Sequence, residues 1–131
     1  MNLINLVQAK AAMERLTEKR FTDFKIARKL VKMRKKVEAE AEFYTDQQKK
    51  AIEAYAELSP DGTPVFIDQQ HIKLKNEDSK MAFDAEMQKL NNTEVDGIEP
   101  VTLTEADFCS VKDIPTPSDM IALEGIVEFA D

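Results

Sequence analysis

The sequence predicts an α+β fold, mostly helical: a long helix packed with N- and C-terminal helices, plus a small antiparallel β-sheet of two to four strands capping one end. Three observations carry this. Residues 23–58 contain neither Pro nor Gly, and Ala27, Leu30, Arg34, Val37, Ala41, Tyr44, Gln48, Ala51, Tyr55 and Leu58 recur at alternating steps of three and four. That is the period of a helix burying one stripe. The chain of 131 residues holds only 3 Gly and 5 Pro, so little interrupts regular structure. Short β-branched runs appear only after the turn "SPDGTP" at 59–64, where Pro fixes one backbone angle and Gly accepts positive φ.

The elements follow in order. A first helix is expected over 3–17, where Leu3, Leu6, Val7, Met13 and Leu16 fall near helical spacing. "TEKRFT" at 17–22 interrupts it. Thr22 is placed to cap the next helix through its hydroxyl, with Asp23 at the positive end of the helix dipole. Phe21 and Phe24 read as core at this spacing. An unbroken helix over 23–58 would be about 54 Å long at 1.5 Å per residue. "VFI" (65–67) and "HIKLK" (71–75) predict two short strands about an Asp68-Gln69-Gln70 turn. Asn76 or Asp78 caps a helix over roughly 78–90. Val95, Ile98, Val101 and Leu103 predict two more strands bent by Gly97, completing a sheet with 65–75. Two capping boxes follow. Thr104-Glu-Ala-Asp107 opens a short helical turn, and Thr116-Pro-Ser-Asp119 opens a last helix with Pro117 at its first position. Met120, Ile121, Leu123, Ile126, Val127 and Phe129 make that helix apolar on both sides, so it is expected to dock.

One domain is expected at this length. Residues 1–58 form a helical hairpin, basic in its first part, and 59–131 an acidic α+β part. The hydrophobic fraction of 43% beside 33% charged residues argues against wholesale disorder. Net charge is −7, unevenly spread: residues 1–36 carry 11 bases and 3 acids, 37–58 carry 2 and 6, and 59–131 carry 5 and 16. Such a dipole can attract different partners at its two ends. The basic run Lys29–Lys36 lies beside the apolar stripe, so it reads first as the solvated flank of one helix.

Chemistry for catalysis is sparse. His71, alone in a probable strand, has no neighbouring Cys or second His for a metal site and no nucleophile to activate. Cys109 is the single cysteine, which excludes an internal disulfide and suits a reducing compartment. It is expected to pack in the interior. Glycines 62, 97 and 125 are too scattered for a phosphate loop. No run approaches the length of a membrane span, and the N-terminal segment lacks the basic region of a signal peptide. No enzyme activity, metal or cofactor is expected.

The order of segments carries one resemblance. "AAMERLTEKRFTDFKIARKLVKMRKKVEAEAEFYTDQQKKAIEAYAE" is followed by an acidic turn and short strands, then "FDAEMQKLNNTEVDGIEPVTLTEADF", then "TPSDMIALEGIVE". From about Ala11 to Glu128 this resembles a family of small uncharacterised proteins of tailed bacteriophages and prophages of low-GC Gram-positive bacteria. The matching residues are Leu90, Asn92, Thr93, Glu94 and Val95, and Met120, Leu123, Glu124 and Val127. The resemblance implies a place in the cytoplasm of the host bacterium or in the virion, and it carries over no catalytic residue.

The leading expectation is a non-enzymatic, phage-encoded protein-interaction module, serving particle assembly or inhibiting a host machine. Its partner would be a phage or host protein, or a second copy through the long helix, and no membrane. The alternative is nucleic-acid related. Either the basic helix 10–36 contacts phosphates, or the acidic half 59–131 mimics nucleic acid to block a host nuclease. The residues expected to make contact are the bases Arg28, Lys32, Lys35 and Lys36 and the acids Asp96, Glu99, Glu105 and Asp107.

Overall fold

In the computed structural model, residues 1–69 and 71–130 are described. Helix α1 spans Leu3–Thr17 and buries Leu3, Leu6, Ala9, Ala12, Met13 and Leu16. Helix α2 spans Phe24–Tyr55, about 48 Å at the helical rise. Asp23 is its N-cap, its carboxylate accepting from the Lys25 N–H at 2.8 Å. Thr22, the expected cap, instead donates its hydroxyl to the Ala106 and Asp107 carbonyls. The seam is as the spacing predicts: Leu30, Val37, Ala41, Tyr44 and Ala51 are buried, together with Met33. The helix ends three residues before Leu58, because Ala56 turns extended and bridges Leu74.

Helix α1 lies antiparallel along the first half of α2, and Arg34 donates to the Thr17 hydroxyl at 2.7 Å and to Glu38 at 2.6 Å. Past the reach of α1, helix α3 (Glu77–Asn91) runs back along the second half. The Lys75 N–H donates to the Tyr55 carbonyl at one end, and the Tyr44 hydroxyl to Asn91 at 2.7 Å at the other. Asn76 caps α3 by accepting from the Ser79 N–H. The chain then follows α2 back toward its start. Leu3 and Val95 exchange backbone bonds with Thr93 and Met1, and the Lys36 ammonium donates to the Asp96 carbonyl at 3.0 Å. Gly97, at φ +76°, leaves room for that ammonium: a Cβ there would sit 3.2 Å from Lys36 Nζ.

Strand β1 (Val101–Leu103) pairs with strand β2 (Val127–Phe129), and the pairing is parallel: Val101 with Val127, Leu103 with Phe129. The mostly helical α+β class is as predicted, but the antiparallel sheet joining 65–75 to 95–103 is not what forms. Residues 56–69 and 71–75 double back twice, a hairpin of 64–67 with 71–74 laid beside 56–58 and held by single bridges, Ala56 to Leu74, Leu58 to Pro64 and Phe66 to Ile72. Gln70, in the turn expected there, lies outside the described residues. The antiparallel partner of β1 is missing because the hairpin sits at the far end of α2, while 101–103 has returned to the near end. Helix α4 (Pro117–Ala122) is short. It stops before Gly125, whose φ of +86° turns the chain, and the β-branched and aromatic residues beyond it extend into β2. This is why the expected last helix was apolar on both sides: Leu123, Ile126 and Val127 are buried from a turn and a strand.

The main core lies at one end. Leu6, Leu16, Leu30, Val37, Leu103, Phe108, Leu123 and Ile126 form one cluster between α1, the first half of α2 and the C-terminal segment. Phe21 joins it, its ring centroid 5.3 Å from that of Phe108. Phe24 does not: it is 88% exposed, a correction to its expected core role. Cys109 is likewise exposed rather than packed inside. Helix α3 contributes no fully buried residue.

Candidate functional site

Two surfaces stand out. The first is the solvent face of α2. Helical spacing puts Phe24, Arg28, Val31, Lys35, Ala39, Glu42 and Asp46 in one row, with Lys25, Lys32 and Phe43 along its edge, and all of them are exposed. Its first half is basic and its middle acidic. Among the described residues Arg28, Lys32, Lys35, Glu42 and Asp46 enter no ion pair. The expected contact bases are therefore on one exposed face, apart from Lys36, which is half-buried on Asp96.

The expected acids do not gather there as a set. Glu99 does meet the bases, lining a shallow groove with Lys29, Lys32, Gly97 and Val101. Asp96 is tied through its carbonyl to Lys36. Glu105 is exposed in the capped turn. Asp107 is engaged structurally, its carboxylate accepting from the Thr104 N–H at 2.8 Å and its carbonyl from the Thr22 N–H at 2.9 Å. Elsewhere Arg15 grips Asp119 in a forked pair at 2.6–3.2 Å. Donation from that guanidinium holds the Asp119 carboxyl below the usual carboxylate range.

The second surface lies at the far end of α2. Between the end of α2, the hairpin and α3 runs a groove of about 880 Å³ lined by Ile52, Ile67, Ile72, Leu74 and Phe83, with Asp68, His71, Glu77 and Lys80 at its rim. Large apolar groups stand out in this half of the molecule: Leu58, Phe66, Ile67 and Met81 are 42%, 60%, 70% and 70% exposed. Contact reasoning from charge missed this surface entirely. Its signal was present as the hydrophobic pair Phe66-Ile67 at a hairpin tip, where only turn residues are needed. Phe24 too was findable, since it shares the i, i+4, i+7 row of Arg28 and Val31 rather than that of Leu30.

His71 Nδ1 lies 2.9 Å from the Asp68 carboxylate, and both side chains are exposed. Among the described residues no group of three or more His, Cys, Asp or Glu side chains converges as a metal site, and no helix is long and apolar enough to cross a membrane. Comparison with known proteins finds no matching family model, no matching curated protein and no matching solved structure.

Proposed function

We propose that this is a non-enzymatic, phage-encoded interaction module that docks a phage or host protein, in particle assembly or in inhibition of a host machine. The phage setting rests on the segment order described above. The observation that carries the docking is the apolar groove between the end of α2, the hairpin and α3, lined by Ile52, Ile67, Ile72, Leu74 and Phe83, with Phe66 and Ile67 exposed at the hairpin tip. An apolar patch of this kind marks an interaction surface. A partner helix or extended segment placing a few apolar anchors in the groove gains from burying both sides.

The test is capture from phage-infected cells with a photo-crosslinking residue at position 67. One defined phage or host protein should be trapped. Ile67→Asp and Phe66→Asp should release it, with the helical circular dichroism unchanged because both side chains are exposed. Capture that ignores both substitutions, or no capture at all, would count against the reading.

The nucleic-acid alternative draws on fewer groups than its sequence span offers. Of the bases in 10–36, Lys10 pairs with Glu14, Arg15 with Asp119, Arg34 with Glu38, and Lys36 holds Asp96.

A further inference from the structure

We propose that the solvent face of α2 binds a second copy of the chain, with the two α2 helices antiparallel about a two-fold axis. This face is separate from the groove at the far end, so the two proposals stand or fall independently.

The argument is charge order along an exposed helix face, the row with its edge residue Lys32. Arg28, Lys32 and Lys35 come first, then Ala39, then Glu42 and Asp46, all exposed. When an identical helix is laid alongside in the reverse direction, Arg28 meets Asp46, Lys32 meets Glu42, and Lys35 meets Ala39. Each contact occurs twice, as an isologous interface requires. The overlap from 28 to 46 is about 28 Å long at the helical rise. Near its centre the facing residue is Ala39, small enough to let the backbones approach, with the aliphatic stem of Lys35 lying across it. Val31 within the row and Phe43 on its edge, 42% and 46% exposed, supply apolar area. Lys25 and Lys49 face each other only at the ends of the overlap. There, helices crossing at about 20° diverge and the long stems reach solvent.

Other occupants fit less of the row. A parallel copy sets like charge against like. A nucleic-acid strand or an acidic protein satisfies the bases between Lys25 and Lys35, about 15 Å of helix, and then runs against Glu42 and Asp46. The net charge of −7 adds to that repulsion. Only a reversed copy compensates both halves.

The experiment is sedimentation equilibrium on the full chain and two exposed-face variants. One is the triple reversal Arg28→Glu, Lys32→Glu, Lys35→Glu; the other is Glu42→Lys, Asp46→Lys. The wild type should dimerise, and its dissociation constant should rise at least about tenfold between about 0.05 M and about 0.5 M NaCl as the charges are screened. Each variant alone should be monomeric, with unchanged helical circular dichroism. Mixed in equal amounts, the two should form a heterodimer, because reversing the bases of one copy and the acids of the other restores complementarity. A wild type that stays monomeric up to about 1 mM overturns the proposal. So do variants that self-associate like the wild type, or a mixture that stays monomeric. A monomer that shifts a single-stranded oligonucleotide with steep salt dependence, lost in the triple reversal, overturns it in favour of a polyanion.

Discussion

Leu30 and Leu58 occupy the same stripe in the sequence, and substituting each by alanine measures where that stripe is covered. Leu30 is 0% exposed within the main cluster, and Leu58 is 42% exposed beyond the end of α2. Leu30→Ala removes three carbons' worth of buried surface, about 2.4 kcal/mol at about 0.8 kcal/mol per methylene. The cavity left between α1 and α2 adds to this, for a total of about 3–4 kcal/mol. Alanine's better helix propensity returns only about 0.2 kcal/mol. At about 4 °C per kcal/mol for a domain of this size, the melting temperature should fall by about 12–16 °C. Leu58→Ala should cost less than about 1 kcal/mol, since much of its side chain already meets water. Urea unfolding followed by far-UV circular dichroism resolves the two, provided the slope with denaturant stays the same. Equal costs at the two positions, within about 0.5 kcal/mol, would refute the claim that α1 and the C-terminal segment shelter the first half of the stripe and leave its end open.

Three further predictions follow from individual contacts. Asp119→Asn should lower the melting temperature at neutral pH. The carboxyl is held below its usual range by Arg15, so its contribution is present above the unfolded carboxylate pKa of about 4 and is lost as pH falls through the folded value. The gap between wild type and variant should therefore close in acid, and a gap that persists there would exclude the ion pair as its source. In the turn at 59–64, donation from the Ser59 hydroxyl, the Thr63 hydroxyl and the Thr63 N–H holds Asp61 at about 2. A carbon-detected NMR titration should find the Asp61 midpoint at about 2, well below the ordinary carboxylate range. Ser59→Ala should raise its midpoint toward the ordinary value, and an unmoved midpoint would remove the hydroxyl as the cause. Gly97→Ala should destabilise by about 1–2 kcal/mol, because the residue sits at φ +76° and a Cβ would press on the Lys36 ammonium. A neutral result by thermal melting would mean that the backbone relaxes there.

The helices were legible because their signals are local. The boundaries of α1, the seam of α2, the Asn76 cap, the Thr104–Asp107 capping box and the Thr116 cap follow from spacing and side-chain hydrogen bonding within four residues, whereas the Asp119 carboxylate goes to Arg15 and leaves the second box half formed. The sheet was not legible, because its partner is chosen by where the chain has travelled. Val101–Leu103 sits beside Val127–Phe129 only because residues 77–102 return along the whole of α2. The last helix was overread for a related reason. Leu123, Ile126 and Val127 keep near-helical spacing, yet Gly125 breaks the backbone between them. The basic contact residues were legible as a row, but Phe24 was misassigned by its nearness to Phe21. The apolar groove was invisible to charge reasoning, because its walls are apolar groups of the end of α2 and of the hairpin and α3 that follow it, which meet only in the fold.

The uneven placement of the core has a mechanical consequence. One continuous helix is anchored in dense packing over its first half, while its second half rests only on α3 and a hairpin joined by single bridges. Amide protons of α2 should thus exchange with solvent at two different paces along a single rod, slowly near Val37 and fast near Ile52. The outer segments can loosen and re-form while the root stays folded, so a partner docked as proposed need not unfold the rest of the chain.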